Sequence, residues 1–263
     1  MSSSSGRAEP VKAPQEDVPG DLLQRLSGFA RVHLLDTCPS TNDYAFSISR
    51  EQQPAIVVCR TQTKGRGRFR RHWYSDSDSL AFSVLLVARQ GENTTRSKLT
   101  SLSGLAVCLA VEELTGLKPL IRWPNDVVIH EDKLAGILCE QRKNAVAVGV
   151  GINVNQTSFP EDIPKAGSLR LATGRKWNKF ELLERAVTRL FGLLSDATAG
   201  EDNHLLEAIR QRSSVLHHRV EVQTLFRRHA GTVIDLDAEG RLVLRTTSGR
   251  LMVVDSGQAR RLR

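Results

Sequence analysis

The sequence predicts an α+β fold: a mixed or antiparallel sheet with flanking helices, followed by a small β-barrel. Between residues 120 and 153, apolar runs of strand length are joined by tight turns, which indicates hairpins rather than alternating βαβ units. After Ser213, short alternating strands and turn signals continue without a helical period, which indicates a separate all-β module. We therefore expect a disordered tail (1–20), a main domain (21–212) and the β-barrel (213–263).

The first half of the chain is predicted to contain both helices and strands. Residues 1–20 are polar and have no apolar core, so we expect disorder and no secretory signal. "DLLQRLSGF" is typical of a short amphipathic helix, and Ser40 or Thr41 stands in an N-cap position before a second helix. The apolar runs "RVHLL", "AIVVCR" and "SLAFSVLLV" predict strands. Apolar residues at helical spacing predict a helix over 98–114, which Gly116 ends.

The second half is predicted to begin with four short strands. These are "LIRW", "DVVIH", "KLAGILCEQ" and "AVAVGVGINV", and "HEDK" and "RKN" are plausible hairpin turns between the last three. "NKFELLERAVTRLFGLLSDA" has the pattern of a long amphipathic helix, and a shorter helix is expected near 203–210. Turn signals at 238–240 and 248–249 separate strands of the C-terminal module.

Composition and charge narrow the class of protein. The 263 residues are 40% hydrophobic and 25% charged, which favours a packed core over a disordered chain. The net charge of +8 suggests an anionic partner: a nucleic acid, a phosphorylated ligand or an acidic protein. No apolar run approaches the roughly 20 residues that cross a membrane. The cysteines are scattered and lack metal spacing, which predicts reduced thiols and a cytoplasmic location. They are Cys38, Cys59, Cys108 and Cys139.

The segment "TKGRGRFRRHW", residues 63–73, contains five cations and no acid. Gly65 and Gly67 let the backbone approach an anion closely, and Arg66 and Arg68 suit bidentate contacts with phosphate or carboxylate oxygens. The segment has neither the order of a P-loop nor the third glycine of the dinucleotide fingerprint. We predict an anion-binding loop that is mobile until the anion arrives. A solvated surface loop and a groove for single-stranded nucleic acid are the alternatives.

A polar corner is predicted within "RWPNDVVIHEDKLAGILCE", residues 122–140. A hairpin would bring Asn125 and Asp126 to the end of the sheet at which Lys133 begins the next strand. One amide, one carboxylate and one ammonium then meet there. The simpler alternative is a surface turn with a cross-strand ion pair. Gly136 inside the strand indicates a bulge or the close approach of a ligand.

Two further segments contain residues that can line a ligand site or serve an ordinary structural role. In "VGVGINVN", Gly149 and Gly151 alternate and therefore share one face of a strand. They leave a bare strip, which either a flat ligand or a packed helix can cover. "STN", residues 40–42, is ordinary helix capping when it is taken alone.

Taken in order, "STN", "QTKGRGR" with a following tryptophan, "RWPND…KLAGILCE" and "GVGIN" resemble the catalytic domain of biotin protein ligases. "GTVIDLDAEGRLVLRT" resembles the small barrel that follows this domain, so the resemblance covers residues 22–263. It implies a class II synthetase-like domain that binds biotin and ATP, and an SH3-like barrel. It also implies a reaction in two steps. Biotin and Mg-ATP give biotinyl-5′-adenylate and pyrophosphate, and the adenylate then acylates a lysine of the biotin carboxyl carrier domain of a carboxylase.

The resemblance also implies roles for individual residues, and we expect Gly136 to line the ligand. The residues that match biotin contacts, or the floor under biotin, are Ser40, Thr41, Asn42, Gln62, Gly149 and Gly151. Those that match the loop over the adenylate and the lysine at its carboxyl and phosphate oxygens are Gly65, Arg66, Gly67, Arg68 and Lys133. Those that match the nucleotide and acceptor end are Trp73, Asn125, Asp126 and Asn153.

The chemistry that follows is electrostatic. Arg66, Arg68 and Lys133 are expected to stabilise the charge that accumulates on the α-phosphate as pyrophosphate leaves. Closure of the loop would keep water away from the mixed anhydride. We expect Asp126 to orient or deprotonate the acceptor lysine. The sequence does not identify ligands for the magnesium ion.

Two positions depart from the family pattern. Arg70 replaces a later loop glycine, which predicts a loop that closes differently or is stiffer, and Arg122 replaces a lysine. Only about 20 polar residues precede the first helix, too few for a helix-turn-helix, so sequence-specific DNA binding is not expected. The alternatives are a lipoate-type ligase or acyltransferase, and a non-enzymatic binder of single-stranded nucleic acid. The R-G-R loop with "WPND…KLAG" favours biotin.

Overall fold

The structure of the protein is a computed structural model that describes residues 11–12, 19–48, 52–87, 95–224 and 227–262. Most of the predicted tail (1–20) therefore lies outside the described residues. The helices are α1 (Gly20–Ser27), α2 (Thr41–Ala45), α3 (Arg96–Thr115), α4 (Leu169–Thr173), α5 (Lys179–Thr198) and α6 (Asp202–Gln211). The strands of the main domain are β1 (Val11–Lys12), β2 (Arg31–Cys38), β3 (Ala55–Gln62), β4 (Ser79–Val87), β5 (Leu120–Arg122), β6 (Asp126–Ile129), β7 (Asp132–Arg142) and β8 (Ala145–Asn153). Those of the C-terminal module are β9 (Arg219–Gln223), β10 (Arg228–Leu236), β11 (Leu242–Thr246), β12 (Leu251–Val254) and β13 (Gln258–Arg261).

Two sheets account for these strands and confirm the predicted α+β fold. The first is mixed and has the order β1-β2-β3-β4-β8-β7-β6-β5, in which β2 and β3 are parallel and the other described pairs are antiparallel. The predicted hairpins β6–β7 and β7–β8 are both present. The second sheet is antiparallel and has the order β12-β11-β10-β9-β13. It forms the predicted C-terminal β-module.

The two faces of the main sheet pack differently because side chains alternate along each strand. On β8, Val148, Val150 and Ile152 face the larger core, where α3 packs between the sheet and α5. Burial of each such side chain contributes about 1.5–3 kcal/mol. The other face carries a smaller core, against which α2 packs. Gly149 and Gly151 open toward this second face.

Capping residues mark the ends of the long helices, and the predicted stop at Gly116 is confirmed. Thr95 caps α3 by accepting a hydrogen bond from the Lys98 amide at 3.2 Å, and Gly116 ends α3 with φ at 76°. Asn178 caps α5 in the same way. Helix α4 was not predicted, because its five residues are too few to show a helical period. None of the described helices is both long and apolar enough to span a membrane.

The C-terminal module is tied directly to the main domain. The Trp123 indole N–H donates to the carbonyl of Gly240 at 3.0 Å. Gly240 has φ at 71°, and a Cβ on it would lie 2.5 Å from Ser101 Oγ, so only glycine suits this contact. Arg210 at the end of α6 binds both carboxylate oxygens of Asp235, at 2.7 and 2.8 Å. The module therefore has a defined position against the "RWPND" segment.

Candidate active site

Three neighbouring strands form the floor of the candidate site. Gly149 on β8 pairs with Ser83 on β4, and Gly151 pairs with Gly136 on β7. Residues directly opposite each other in antiparallel strands point to the same side of the sheet. The glycines and Ser83 therefore share the face on which α2 packs, and the prediction that Gly149 and Gly151 share one face is confirmed.

Two side chains cover the glycine strip, Trp73 of the basic loop and Asn42 of helix α2, so part of the cover is the packed helix that was one of the two expected alternatives. A Cβ on Gly151 would lie 2.6 Å from Trp73 Cζ2, and a Cβ on Gly136 would lie 3.2 Å from Trp73 Cζ3. A Cβ on Gly149 would lie 2.6 Å from Asn42 Oδ1. The glycines are thus needed because the Trp73 indole and the Asn42 amide lie directly on the backbone. The indole is half-buried, and its N–H has no hydrogen-bond partner among the described residues.

A buried polar cluster links α2 to the sheet. The Thr41 amide donates to Gln62 Oε1 at 2.8 Å, and the Thr41 hydroxyl lies 3.2 Å from the same oxygen. Ser83 Oγ lies 2.7 Å from both Thr41 Oγ1 and Asn42 Oδ1. Ser40 is the N-cap residue of α2, but its side chain makes no capping hydrogen bond. The interpretation of "STN" as ordinary capping was therefore wrong, because Gln62 supplies the acceptor instead.

Arg66 lies in a network of charges rather than standing unpaired. It binds Asp43 at 2.5 Å and Glu140 at 3.0 Å, and Arg142 also binds Asp43, at 2.7 Å. Asn42 Nδ2 donates to the same Glu140 carboxylate at 2.8 Å. The hydrogen bond from Arg66 lowers the pKa of Asp43, and the bond to Asp43 raises the pKa of Arg66. Two acids that are distant in sequence therefore neutralise this part of the basic loop.

The basic loop (63–73) is closed by backbone hydrogen bonds of its own. The Trp73 amide donates to the Gly65 carbonyl at 2.9 Å, and a Cβ on Gly65 would lie 2.8 Å from the Trp73 carbonyl oxygen. The Gly67 amide donates to the Arg71 carbonyl at 2.8 Å. Phe69 has the left-handed φ of 57° in this turn. Arg70 is the last residue of this turn, and the different or stiffer closure expected from its replacement of a glycine stays a prediction.

Arg68 is directed toward the C-terminal module. Its two terminal nitrogens donate to the Gly257 carbonyl at 3.0 Å and to Ser256 Oγ at 2.7 Å. Burial lowers the pKa of Arg68, and the carboxylates of Asp126 and Asp255 oppose that effect. No local sequence pattern indicates this contact, because its residues are almost 190 positions apart.

The predicted polar corner is present in part, as a cross-strand ion pair centred on Asp126, whereas the Asn125 amide binds the Ile137 carbonyl instead. Lys133 Nζ lies 2.6 Å from Asp126 Oδ1, and the Arg122 guanidinium lies 3.1 Å from Asp126 Oδ2. Both carboxylate oxygens are therefore paired with cations. Lys133 Nζ also lies 5.5 Å from the centre of the Trp73 ring, a cation–π distance. The corner and the indole on the glycine strip thus meet at Lys133.

Asn125 and Asn153 hold the backbone around this corner. Asn125 Nδ2 donates to the Ile137 carbonyl at 3.1 Å. Asn153 Nδ2 donates to the carbonyls of Lys133 at 3.2 Å and Gly167 at 2.9 Å. The amide hydrogens of Asn153 are therefore engaged, which leaves its Oδ1 as the group that can meet a ligand. The described residues include no group of three or more His, Cys, Asp or Glu that could hold a metal ion.

Comparison with known proteins identifies the family to which the chain is similar. Residues 34–156 match the model of the biotin/lipoate A/B protein ligase family. A biotin–[acetyl-CoA-carboxylase] ligase of Mycobacterium tuberculosis is 32% identical over 92% of this chain and 93% of its own length. The chain belongs to the biotin protein ligase family. A bifunctional ligase/repressor BirA of Bacillus subtilis is 29% identical over 92% of this chain and 77% of its own length.

Structural similarity to a solved biotin protein ligase supports the same family assignment. The solved structure is a biotin protein ligase from Aquifex aeolicus in complex with biotin and ATP, with 31% identity and a TM-score of 0.81. The match covers 89% of this chain and all of that one. The match reaches into the C-terminal β-module, since 89% of the chain is more than residues 1–212 contain.

In this ligase most of the predicted residues lie on one face of the main sheet, but three important partners were missed. Ser83 is one of them, and a serine inside the apolar run "SLAFSVLLV" was its only sequence signal. Asp43 and Glu140 are the others, and they directly follow "STN" and end "KLAGILCE". Their pairing with Arg66 depends on the fold and has no local pattern.

Proposed function

We propose that this ligase activates biotin with ATP as biotinyl-5′-adenylate and then transfers biotin to a lysine of a biotin carboxyl carrier domain. The observation that carries the proposal is the meeting of Lys133 with the Asp126 carboxylate and the Trp73 indole at one end of the polar cluster. The named relatives support it, since one is a biotin–[acetyl-CoA-carboxylase] ligase and the Aquifex aeolicus enzyme binds biotin and ATP.

Biotin is proposed to bind at the polar cluster. Its ureido group has one carbonyl acceptor and two N–H donors, which suits a site with hydroxyl and amide partners. Thr41, Gln62 and Ser83 supply such partners, and all three are held by mutual hydrogen bonds before biotin arrives. Asn42 completes the cluster and Ser40 lies beside it, buried. The carboxylate of biotin then extends toward Lys133.

Adenylation is proposed to occur beside Lys133. An oxygen of the biotin carboxylate attacks the α-phosphorus of ATP, a C–O–P bond forms, and the bond to the pyrophosphate oxygen breaks. Lys133 and Arg68 stabilise the negative charge on the α-phosphate in the transition state. Arg66 anchors the loop through Asp43 and Glu140, which leaves it a positioning role rather than a phosphate contact. Gly65 and Gly67 allow the loop its tight closure.

Adenine is proposed to stack on the free face of Trp73. Gly136 and Gly151 seat the other face of the indole, so the ring is held flat and ready. Asn153 Oδ1 can accept a hydrogen bond from the base. Asn125 holds the backbone at Ile137, and Gly149 leaves the space that the Asn42 side chain occupies. This assigns the glycines to Trp73 and Asn42 rather than to biotin directly.

Asp126 is proposed to act first on Lys133. The Asp126 carboxylate already has a cation on each of its oxygens, Lys133 at 2.6 Å and Arg122 at 3.1 Å. It is well suited to hold Lys133 in place and to orient the acceptor lysine by charge. Proton abstraction by Asp126 requires that it exchange one of these partners, so orientation is the role that the geometry favours.

The described residues do not form a metal site, so we propose that magnesium enters as Mg-ATP, as part of the substrate. We further propose a division into a catalytic domain (21–212) and a C-terminal module (213–263). All four cysteines are free thiols, which agrees with the proposed cytoplasmic location.

The test is biotin-dependent release of pyrophosphate from ATP, with lipoate compared side by side. Lys133→Ala and Arg68→Ala are each expected to slow this step by more than about 10-fold, the typical effect of losing one transition-state donor. Lys118→Ala and Arg250→Ala, at exposed positions, are the matched controls. Equal rates for the four variants would contradict the proposed roles, and turnover of lipoate in place of biotin would contradict the substrate.

A further inference from the structure

We infer that the turn 255–257 of the C-terminal module is a positioning element of the active site, in which Ser256 and the Gly257 carbonyl orient the Arg68 guanidinium toward the adenylate phosphate. This inference rests on the proposed role of Arg68. It assigns to the module a specific task that neither the family match nor the motifs contain.

The contact engages part of the guanidinium and leaves the rest available. One N–H of each terminal nitrogen is used, by Gly257 O at 3.0 Å and Ser256 Oγ at 2.7 Å. The remaining N–H groups of Arg68 make no hydrogen bond to the described residues, so they can meet phosphate oxygens in a forked geometry. Hydrogen bonds from a charged donor are stronger than neutral ones, so the two contacts fix both the position and the plane of the group.

The turn is a rigid support. Gly257 is buried against β9, where a Cβ would lie 2.9 Å from both Gln223 O and Val222 Cγ1. Strand β13 begins at the next residue and pairs with β9, with Gln258 opposite Gln223. Because the backbone at Gly257 cannot shift without disturbing this ladder, its carbonyl is a fixed acceptor for Arg68.

The same module also contacts the segments that carry Asp126 and Lys133. The Gly240 carbonyl accepts a hydrogen bond at 3.0 Å from the indole of Trp123, which stands three positions before Asp126. Arg261 lies 3.9 Å from Glu131, in the hairpin that precedes Lys133. One module therefore determines the position of Arg68 relative to Asp126 and Lys133. The influence of Asp126 on the pKa of Arg68 agrees with this proximity.

The physical benefit is preorganisation. A free arginine side chain carries about 2 kcal/mol of rotamer entropy, which is lost when it binds phosphate. A guanidinium that is already held loses less on reaching the transition state, so the adenylation rate rises. Loss of the Ser256 hydroxyl is expected to lower kcat for adenylation by about 5-fold, less than the full effect of a hydrogen bond to a charged group, because the site is partly exposed. The KM for biotin should change less.

A double-mutant cycle with Arg68→Ala tests the inference. Biotin-dependent pyrophosphate release is measured for the wild type, Ser256→Ala, Arg68→Ala and the double variant. If Ser256 acts through Arg68, Ser256→Ala slows pyrophosphate release in the otherwise wild-type enzyme but does not slow it further in the Arg68→Ala variant. Ser256→Thr, which keeps a hydroxyl, should recover most of the rate, and Ser248→Ala in another turn of the module is the control.

Each outcome is decisive. Equal slowing by Ser256→Ala in both backgrounds would show a purely structural role and overturn the inference. So would an unchanged rate, or a faster rate with a lower KM for biotin, which would mean that the contact holds Arg68 away from the substrate. If Arg68→Ala alone has a normal rate, the proposed function of Arg68 fails instead. Thermal unfolding of each variant separates these cases from misfolding, and Ser256→Thr remains interpretable if Ser256→Ala unfolds.

Discussion

The substitution Asp126→Asn removes the negative charge that Lys133 and Arg122 share, while it keeps the shape of the side chain. Asp126 binds Lys133 at 2.6 Å and Arg122 at 3.1 Å. We expect this change to slow adenylate formation at least as much as the later transfer to the acceptor lysine. The reason is that Lys133 loses the group that positions it before the α-phosphate is attacked.

The magnitude follows from the geometry of the ion pair. At 2.6 Å and an effective dielectric constant of about 20, the gross attraction is about 6 kcal/mol. The side chains of Asp126 and Lys133 are 15% and 30% exposed, so hydration offsets most of this attraction. A net loss of about 1.5–3 kcal/mol, as for hydrogen bonds between charged groups, gives a reduction of roughly 10- to 100-fold.

The assay separates the two steps. Adenylation is measured as biotin-dependent pyrophosphate release, and transfer is measured by adding preformed biotinyl-5′-adenylate to a carrier domain. Asp132→Asn is the matched control, since it removes the same charge from an exposed neighbour of Lys133. If Asp126→Asn leaves adenylation intact and slows transfer alone, the positioning of Lys133 by Asp126 is refuted, and proton abstraction from the acceptor becomes its role.

Three further predictions concern the fold around the site. Gly151→Ala should displace the Trp73 indole, destabilise the protein by about 1–3 kcal/mol and change its tryptophan fluorescence. The control Gly192→Ala adds a Cβ that meets nothing within 4 Å, so it should have neither effect. Equal effects of the two substitutions would contradict the packing of the indole on Gly151. Asp43→Asn should lower the unfolding free energy near neutral pH by at most about 1 kcal/mol. Because its arginine partners lower the pKa of Asp43 from 3.8, this difference should shrink as the pH falls below that value; a difference that grows in acid would be contrary. Cys108, whose pKa burial raises to about 12, should resist thiol reagents at pH 8 until the protein unfolds; rapid labelling of the folded protein would argue against its burial.

The sequence was sufficient for features that depend on local patterns. The long helices α3 and α5, the two hairpins and the β-module all have periodicity or turn residues that a short window contains. The pairing of Asp126 with Lys133 followed from the hairpin itself, because its two strands bring these residues to one end of the sheet. Gly149 and Gly151 were likewise placed on one face by alternation alone.

Features that depend on distant contacts could not be predicted. The ion pairs of Arg66 join residues on α2, the basic loop and β7, and no window of sequence contains all of them. The contact of Arg68 with Ser256 joins the loop to the C-terminal module in the same way. The indole of Trp73 lies on Gly151 because of loop closure, which the glycine spacing alone did not reveal.

A crystal structure of the enzyme with biotin and ATP is the most direct test of the central claim that the basic loop and Lys133 form one adenylation site. The account predicts biotinyl-5′-adenylate with its ureido ring at Thr41 and Gln62, its phosphate within hydrogen-bond distance of Lys133 and Arg68, and its adenine on the free face of Trp73. A ligand bound away from Lys133, or a loop directed into solvent over a bound adenylate, would contradict it.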